Sequence, residues 1–322
     1  MGQVETHLSA TLKAGDTPQN AQQQASMAID LFHAHTLRMA RHDLLVTILV
    51  LSRFIQRHRG ATLALLGGDK SFRPQVQTLQ QQINAQLEFI HCLNATARES
   101  IADNDWKQLS LGWHTIIKDL ENDAIHHSFE FHSHLLELLL RVARQLSEAV
   151  LYQPPLAQMP EALRNRVEKT YLEPLQNLNQ TCVIELYELV EYLARIRGMG
   201  THMAAVGHSD TDSDTRVAFW LQEFRYRKDR FDQNLQVLPS AYLPFIPALR
   251  ALPNLNMKLN YFINLLGHEM TSQRSIKIPS HKLFLMGTEI IDGYLNVMDQ
   301  ANAVIREQLH QMNMMCLQRL ME

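Results

Sequence analysis

Four arginines carry the chemistry that stands out in this sequence. Arg57 and Arg59 lie in Gln56-Arg57-His58-Arg59-Gly60-Ala61-Thr62, and Arg195 and Arg197 in Leu193-Ala194-Arg195-Ile196-Arg197-Gly198-Met199-Gly200. Within each pair the two are about 200° apart around a helix, so only one can sit on the apolar face. The pattern selects Arg59 and Arg197. The stripe Leu44, Ile48, Leu51, Ile55, Arg59, Thr62, Leu66 advances by fours and threes, as one helix face does. The same steps, 138 residues on, give Cys182, Leu186, Leu189, Leu193, Arg197, Gly200, Ala204. A guanidinium stays charged in a protein and needs an acceptor when buried; leaving it unpaired costs several kcal/mol. Small residues follow each arginine (Gly60, Ala61, Thr62; Gly198, Gly200) and leave room for a ligand of a few atoms. Two readings stay open. Arg59 and Arg197, with Arg57 and Arg195 as second choices, bind a small anion; or internal glutamates neutralise them and the chain is a helical scaffold for protein–protein contact.

The elements that must position these side chains read as helices throughout. Residues 1–20 are polar and form an arm. Helical patterns run over 21–66, 74–100, 104–151 (divisible in two), 161–206, 214–237, 255–271 and 280–320. Gly67-Gly68 stops the first, and proline in the first turn starts the second. Gln153-Pro154-Pro155-Leu156-Ala157-Gln158-Met159-Pro160 excludes helix and is the best boundary. No run shows strand alternation with hairpin turns. The expectation is an all-α chain of about eight long antiparallel helices in two duplicated bundles: 21–153, a link at 154–160, and 161–322.

Composition narrows the function classes. A net charge of −3 over 322 residues gives no field to recruit nucleic acid or an anionic membrane. Cys92, Cys182 and Cys316 fit neither a disulfide framework nor a zinc spacing, and the apolar run Leu44–Leu51 is too short to span a bilayer. With no signal peptide in view, the expectation is a cytoplasmic protein. His126, Glu130 and His134 share a helix face, and Glu88-x-x-His91 and Glu307-x-x-His310 have the spacing of di-iron bundles. Those two motifs fall in opposite halves, so no metal and no cofactor is expected. The basic and aromatic run Glu223–Phe231 is interrupted by acids and reads as a solvated face. No nucleophile–base set or phosphate loop emerges, so no enzyme is expected.

The stretch Gln56-Arg57-His58-Arg59-Gly60 resembles the Gln-Arg-Glu-Arg-Gly signature of the NIT domain, the nitrate- and nitrite-sensing domain of bacterial regulators. Leu193–Gly200 is similar to the corresponding helix of that domain's second half, and by length and layout the resemblance covers about 30–320. His58 departs from the family's glutamate. The resemblance implies paired helical bundles, a nitrate or nitrite ligand on arginines, and signalling by a change in helix packing. Regulators of this kind carry an output domain, whereas here the helical pattern fills the chain. The expected partners are therefore the small anion and a downstream regulatory protein, with a homodimer as an option. Nitrate suits an arginine fork, which gives a planar anion two parallel hydrogen bonds. Four heavy atoms at about 1.5 kcal/mol each cap the affinity near a Kd of roughly tens of µM.

Overall fold

The computed structural model describes residues 18–152, 161–269 and 275–321. The proline link 154–160 and most of the arm lie outside them; Pro18, Gln19 and Asn20, expected in the arm, already belong to the first helix. Among the described residues the chain is helical, without strands; an isolated bridge joins His208 and Ser275.

The first half holds α1 (Pro18–Leu66), α2 (Arg73–Thr96), α3 (Asp103–Lys118) and α4 (Ile125–Leu151). α1 runs unbroken through Arg41-His42-Asp43 and ends where Gly67-Gly68 follow. Asp69 then caps a 3-10 turn, accepting the Ser71 amide at 3.1 Å, and Pro74 sits in the first turn of α2. The pattern over 104–151 is two helices, broken between Asp119 and Ala124.

The second half opens with one long helical rod. α5 (Glu161–Val167), α6 (Glu173–Asn179) and α7 (Leu186–Val206) are joined by π turns at Glu168–Leu172 and Gln180–Glu185. Asp210 accepts the Ser213 amide at 2.7 Å and starts α8 (Thr211–Gln236) three residues before the expected point. Two 3-10 turns, Ser240–Phe245 and Pro247–Ala251, lead to α9 (Leu252–Glu269) and α10 (Ser280–Met321).

Four helices form the centre. α1 packs on α4, α7 and α10, and α7 packs on α1 and α10. The flanking helices repeat: α2 lies on α1 as α8 lies on α7, and α3 on α4 as α9 on α10. The stripes are buried along α1 and along α7 with the π turn before it, Leu44, Ile48, Leu51, Cys182, Leu186, Leu189 and Leu193 all at 0% exposure. α1 and α7 cross at the two matched glycines. A Cβ on Gly198 would lie 3.7 Å from the Gly60 Cα and 3.3 Å from Leu63 Cδ1, so the two helices cross closely at these glycines.

Candidate functional site

The crossing buries Arg59 and Arg197 completely, and they are the largest fully buried side chains described. Their cradles match. The Arg59 guanidinium lies over the Phe129 ring at 5.2 Å and donates from Nη1 to Ser133 Oγ at 3.2 Å, both on α4. The Arg197 guanidinium lies over Phe284 at 4.8 Å and donates from Nη1 to Thr288 Oγ1 at 2.9 Å, both on α10. Phe129 and Ser133 are each 155 residues before Phe284 and Thr288. The flanking arginines repeat too. Arg57 donates to both oxygens of Asp292 at 2.7 and 2.9 Å, and Arg195 donates to Glu137, 155 residues before Asp292, at 3.1 Å. The structure thus relates α1 to α7 and α4 to α10 contact by contact.

One contact has no counterpart. Arg59 makes a two-pronged pair with Glu191 of α7, Nη1 to Oε1 at 2.7 Å and Nη2 to Oε2 at 3.1 Å. Arg195 also donates to Glu191, at 2.8 Å, and the Gln56 side chain donates to it at 3.0 Å. Burial pushes the Glu191 carboxyl up, but the two arginine charges and their hydrogen bonds outweigh it and hold it below the usual carboxylate range. Position 53, the match of Glu191, is Arg53, which points to Asp299 instead.

Arg197 therefore has no counter-ion. Its Nη2 donates to the Gln56 carbonyl at 2.7 Å, its buried Nε meets no acceptor, and no carboxylate among the described residues comes within 4.0 Å. Burial first, then the charges of Arg59 and Arg57, push its guanidinium down to about 9. Gly287 makes room for its stem: a Cβ there would sit 2.7 Å from Arg197 Cγ. Glu191 is thus taken up by Arg59 and Arg195, the latter also pairing with Glu137, and Arg197 is left with neutral acceptors. A desolvated excess of positive charge is what an anion would relieve.

His58, the departure from the NIT signature, meets a second buried histidine. His58 Nδ1 and His132 Nε2 are 2.8 Å apart, and His132 Nδ1 donates to the Ser128 carbonyl at 2.6 Å. That carbonyl accepts only, so the His132 proton is on Nδ1 and His58 donates to Nε2. Burial pushes His132 down to about 3 and His58 well below its usual value.

The other histidine motifs are dispersed. His126 packs edge-on against His127, Glu130 binds Arg216, and His134 lies 3.7 Å from Glu137. His91 stacks on Trp106, and His310 Nδ1 is 3.4 Å from His35 Nε2. Among the described residues no three potential ligands gather around a metal-sized space. A cavity of about 1160 Å³ is lined by Arg144, Arg164, Glu168, Glu188 and Arg230 among others and does not include Arg59 or Arg197.

Sequence reasoning located the arginines but missed Glu191, Ser133, Thr288, Glu137, Asp292 and His132. Glu191 had one available signal, its position four residues before Arg195. The α4 and α10 partners had another, the match Phe129/Ser133/Glu137 with Phe284/Thr288/Asp292, hidden by its different offset.

The fold and site define an all-α bundle with an internal repeat and a buried arginine network at its centre. Among the described residues no helix is long and apolar enough to cross a membrane. No family model and no curated protein matches the chain. In fold it is similar to the solved structure of the NasR transcription antiterminator, with a TM-score of 0.59 and 13% identity over 94% of this chain and 82% of that one. The likeness covers both halves of the repeat, and at this identity it is a likeness of fold.

Proposed function

We propose that the protein is a cytoplasmic regulatory module that senses nitrate or nitrite, with halves 21–153 and 161–322 acting as one unit. Arg197 is the anion's principal partner in this reading, and Arg59, Arg57 and Arg195 form its electropositive surroundings. One observation carries the proposal: a fully buried guanidinium without a carboxylate, in a bundle that gives its matched arginine one. The NIT-like motif around Arg59 and the fold likeness to an antiterminator support a regulatory role over a catalytic one.

An anion can shift the packing of α1, α7 and α10 only by its differential affinity for two arrangements. Gln56 is placed to carry such a shift. Its carbonyl accepts from Arg197 and its side chain donates to Glu191, so movement at one arginine is felt at the other. The output then passes to a partner protein. Arg57, Arg59 and Arg195 each have carboxylate partners, which favours a structural role for those three. The test is thermal unfolding of the purified chain in nitrate, nitrite, chloride and sulfate at matched ionic strength. Nitrate or nitrite at a hundredfold excess over Kd should stabilise by about 2.7 kcal/mol beyond chloride. Equal melting in all four salts would sink the sensor reading.

A further inference from the structure

The internal repeat gives two matched cavities, one on each side of the α1–α7 crossing. The first, about 170 Å³, lies between α4 and α7; the second, about 340 Å³, lies between α1 and α10. Arg53, Phe54 and Arg57 line the second where Glu191, Tyr192 and Arg195 line the first. Asp292, Leu295 and Asp299 answer in the same way to Glu137, Leu140 and Arg144. The arginine–carboxylate pairs Arg57–Asp292 and Arg195–Glu137 are kept, while the charges at the other matched positions are swapped: Arg53 and Asp299, paired with each other, answer to Glu191 and to Arg144, which pairs with Glu188.

From the first cavity the Glu191 carboxylate reaches inward and forks onto Arg59. In the second cavity no carboxylate does the same for Arg197, although the Gln56 carbonyl and Thr288 hydroxyl that it binds adjoin Arg57 and lie one turn before Asp292 on that cavity's wall. We infer that the anion enters between α1 and α10 and takes, at Arg197, the place that the Glu191 carboxylate takes at Arg59. The inference rests on the reading of Arg197 as the anion's partner and adds the route, the binding mode and the ligand class. A ligand that replaces a carboxylate on an arginine fork is a planar monoanion presenting two oxygens on one edge, as nitrate, nitrite and formate do. A tetrahedral dianion such as sulfate brings a second charge and further oxygens that this fork leaves unmatched.

The repeat supplies its own test. Arg53→Glu adds to α1 the carboxylate that α7 already carries, so the protein would provide its own counter-ion for Arg197. Thermal unfolding with and without nitrate is measured for wild type, Arg53→Glu and Arg53→Gln. The expected result is loss of the nitrate shift in Arg53→Glu, with a higher melting point without nitrate than Arg53→Gln, which retains a shift. If Arg53→Glu fails to fold because it faces Asp299, Arg53→Glu with Asp299→Arg copies the charges of the other half and replaces it. A nitrate shift in the glutamate variant as large as in Arg53→Gln would overturn the inference and leave Arg197 as the anion's partner. A wild type unmoved by nitrate would instead remove the reading beneath it. Formate should shift the wild type as nitrate does; a sulfate shift equal to that of nitrate would overturn the planar class.

Discussion

Arg59 and Arg197 sit in matched helices, at 0% exposure, each under a phenylalanine ring and each bonded to one hydroxyl of the helix opposite. They differ in what neutralises them. Glu191 lies six residues before Arg197 on α7 and serves Arg59 across the crossing; its match on α1 is Arg53, a cation that pairs with Asp299 of α10 and gives Arg197 no carboxylate. The apolar frame around a buried cation is thus common to both halves, while the counter-ion is particular to one. In the proposed reading, a buried arginine with its own carboxylate is part of the structure, and one without it is where an anion binds. The difference turns on a single position.

The comparison can be broken most sharply at Arg59. Arg59→Ala leaves the buried Glu191 with Arg195 and Gln56 alone, and should cost about 3 kcal/mol, the lower end for breaking a buried pair. Urea unfolding with and without nitrate measures it; a loss under about 1 kcal/mol would mean that the pair is not the internal counter-ion of this half.

The histidines separate the halves by pH. His58 and His132 are buried neutral rings, whereas the matched positions are Ile196 and Gly287, which do not titrate. Both rings have folded pKa values below the unfolded value of about 6.5, so the unfolded chain binds more protons as pH falls below that value. Stability should therefore fall as pH drops below 6.5, each neutral ring adding a slope of up to about 1.4 kcal/mol per pH unit, for His132 down to about pH 3. His132→Gln should flatten the slope between pH 6.5 and 5. An unchanged slope would assign the acid sensitivity elsewhere, for instance to His35 and His42, which burial pushes down to about 4.

Position 287 sharpens the contrast by sterics. The first half carries His132 there, but in the second the Arg197 stem occupies the space. Gly287→Ala should cost about 1–3 kcal/mol through overpacking against Arg197 Cγ, and should weaken the nitrate shift. A neutral substitution would show that the stem moves aside freely. The smallest effect is expected at Arg57. Its pair with Asp292 is exposed at 34% and 45%, so Arg57→Ala should change stability by less than about 1 kcal/mol.

Much of this was legible in the sequence because helix periodicity and a repeated stripe are local signals. The stripes are buried along α1 and along α7 with the π turn before it, and the interrupting arginines are buried with them. The break between α3 and α4 was not sharp, because Asp119–Ala124 contains neither glycine nor proline. The π turns at 168–172 and 180–185 left no mark in composition. Glu191 escaped because its partner Arg59 lies on another helix, and pairing across a crossing depends on packing that no window along the chain contains. The second match, α4 with α10, follows an offset of its own because the connecting segments of the two halves differ in length. A repeat sought at one spacing finds half of the core.

The central claim is that Arg197 alone among the four arginines is open to an outside anion. The most direct measurement is the nitrate-induced melting shift of Arg197→Gln beside that of wild type, in nitrate and chloride at matched ionic strength. Glutamine keeps a donor for Thr288 or the Gln56 carbonyl and removes a charge that has no partner, so stability in chloride should change little. The account predicts that the nitrate shift of the wild type disappears in this variant. A variant that melts far below wild type in chloride, yet still gains as much from nitrate, would contradict it.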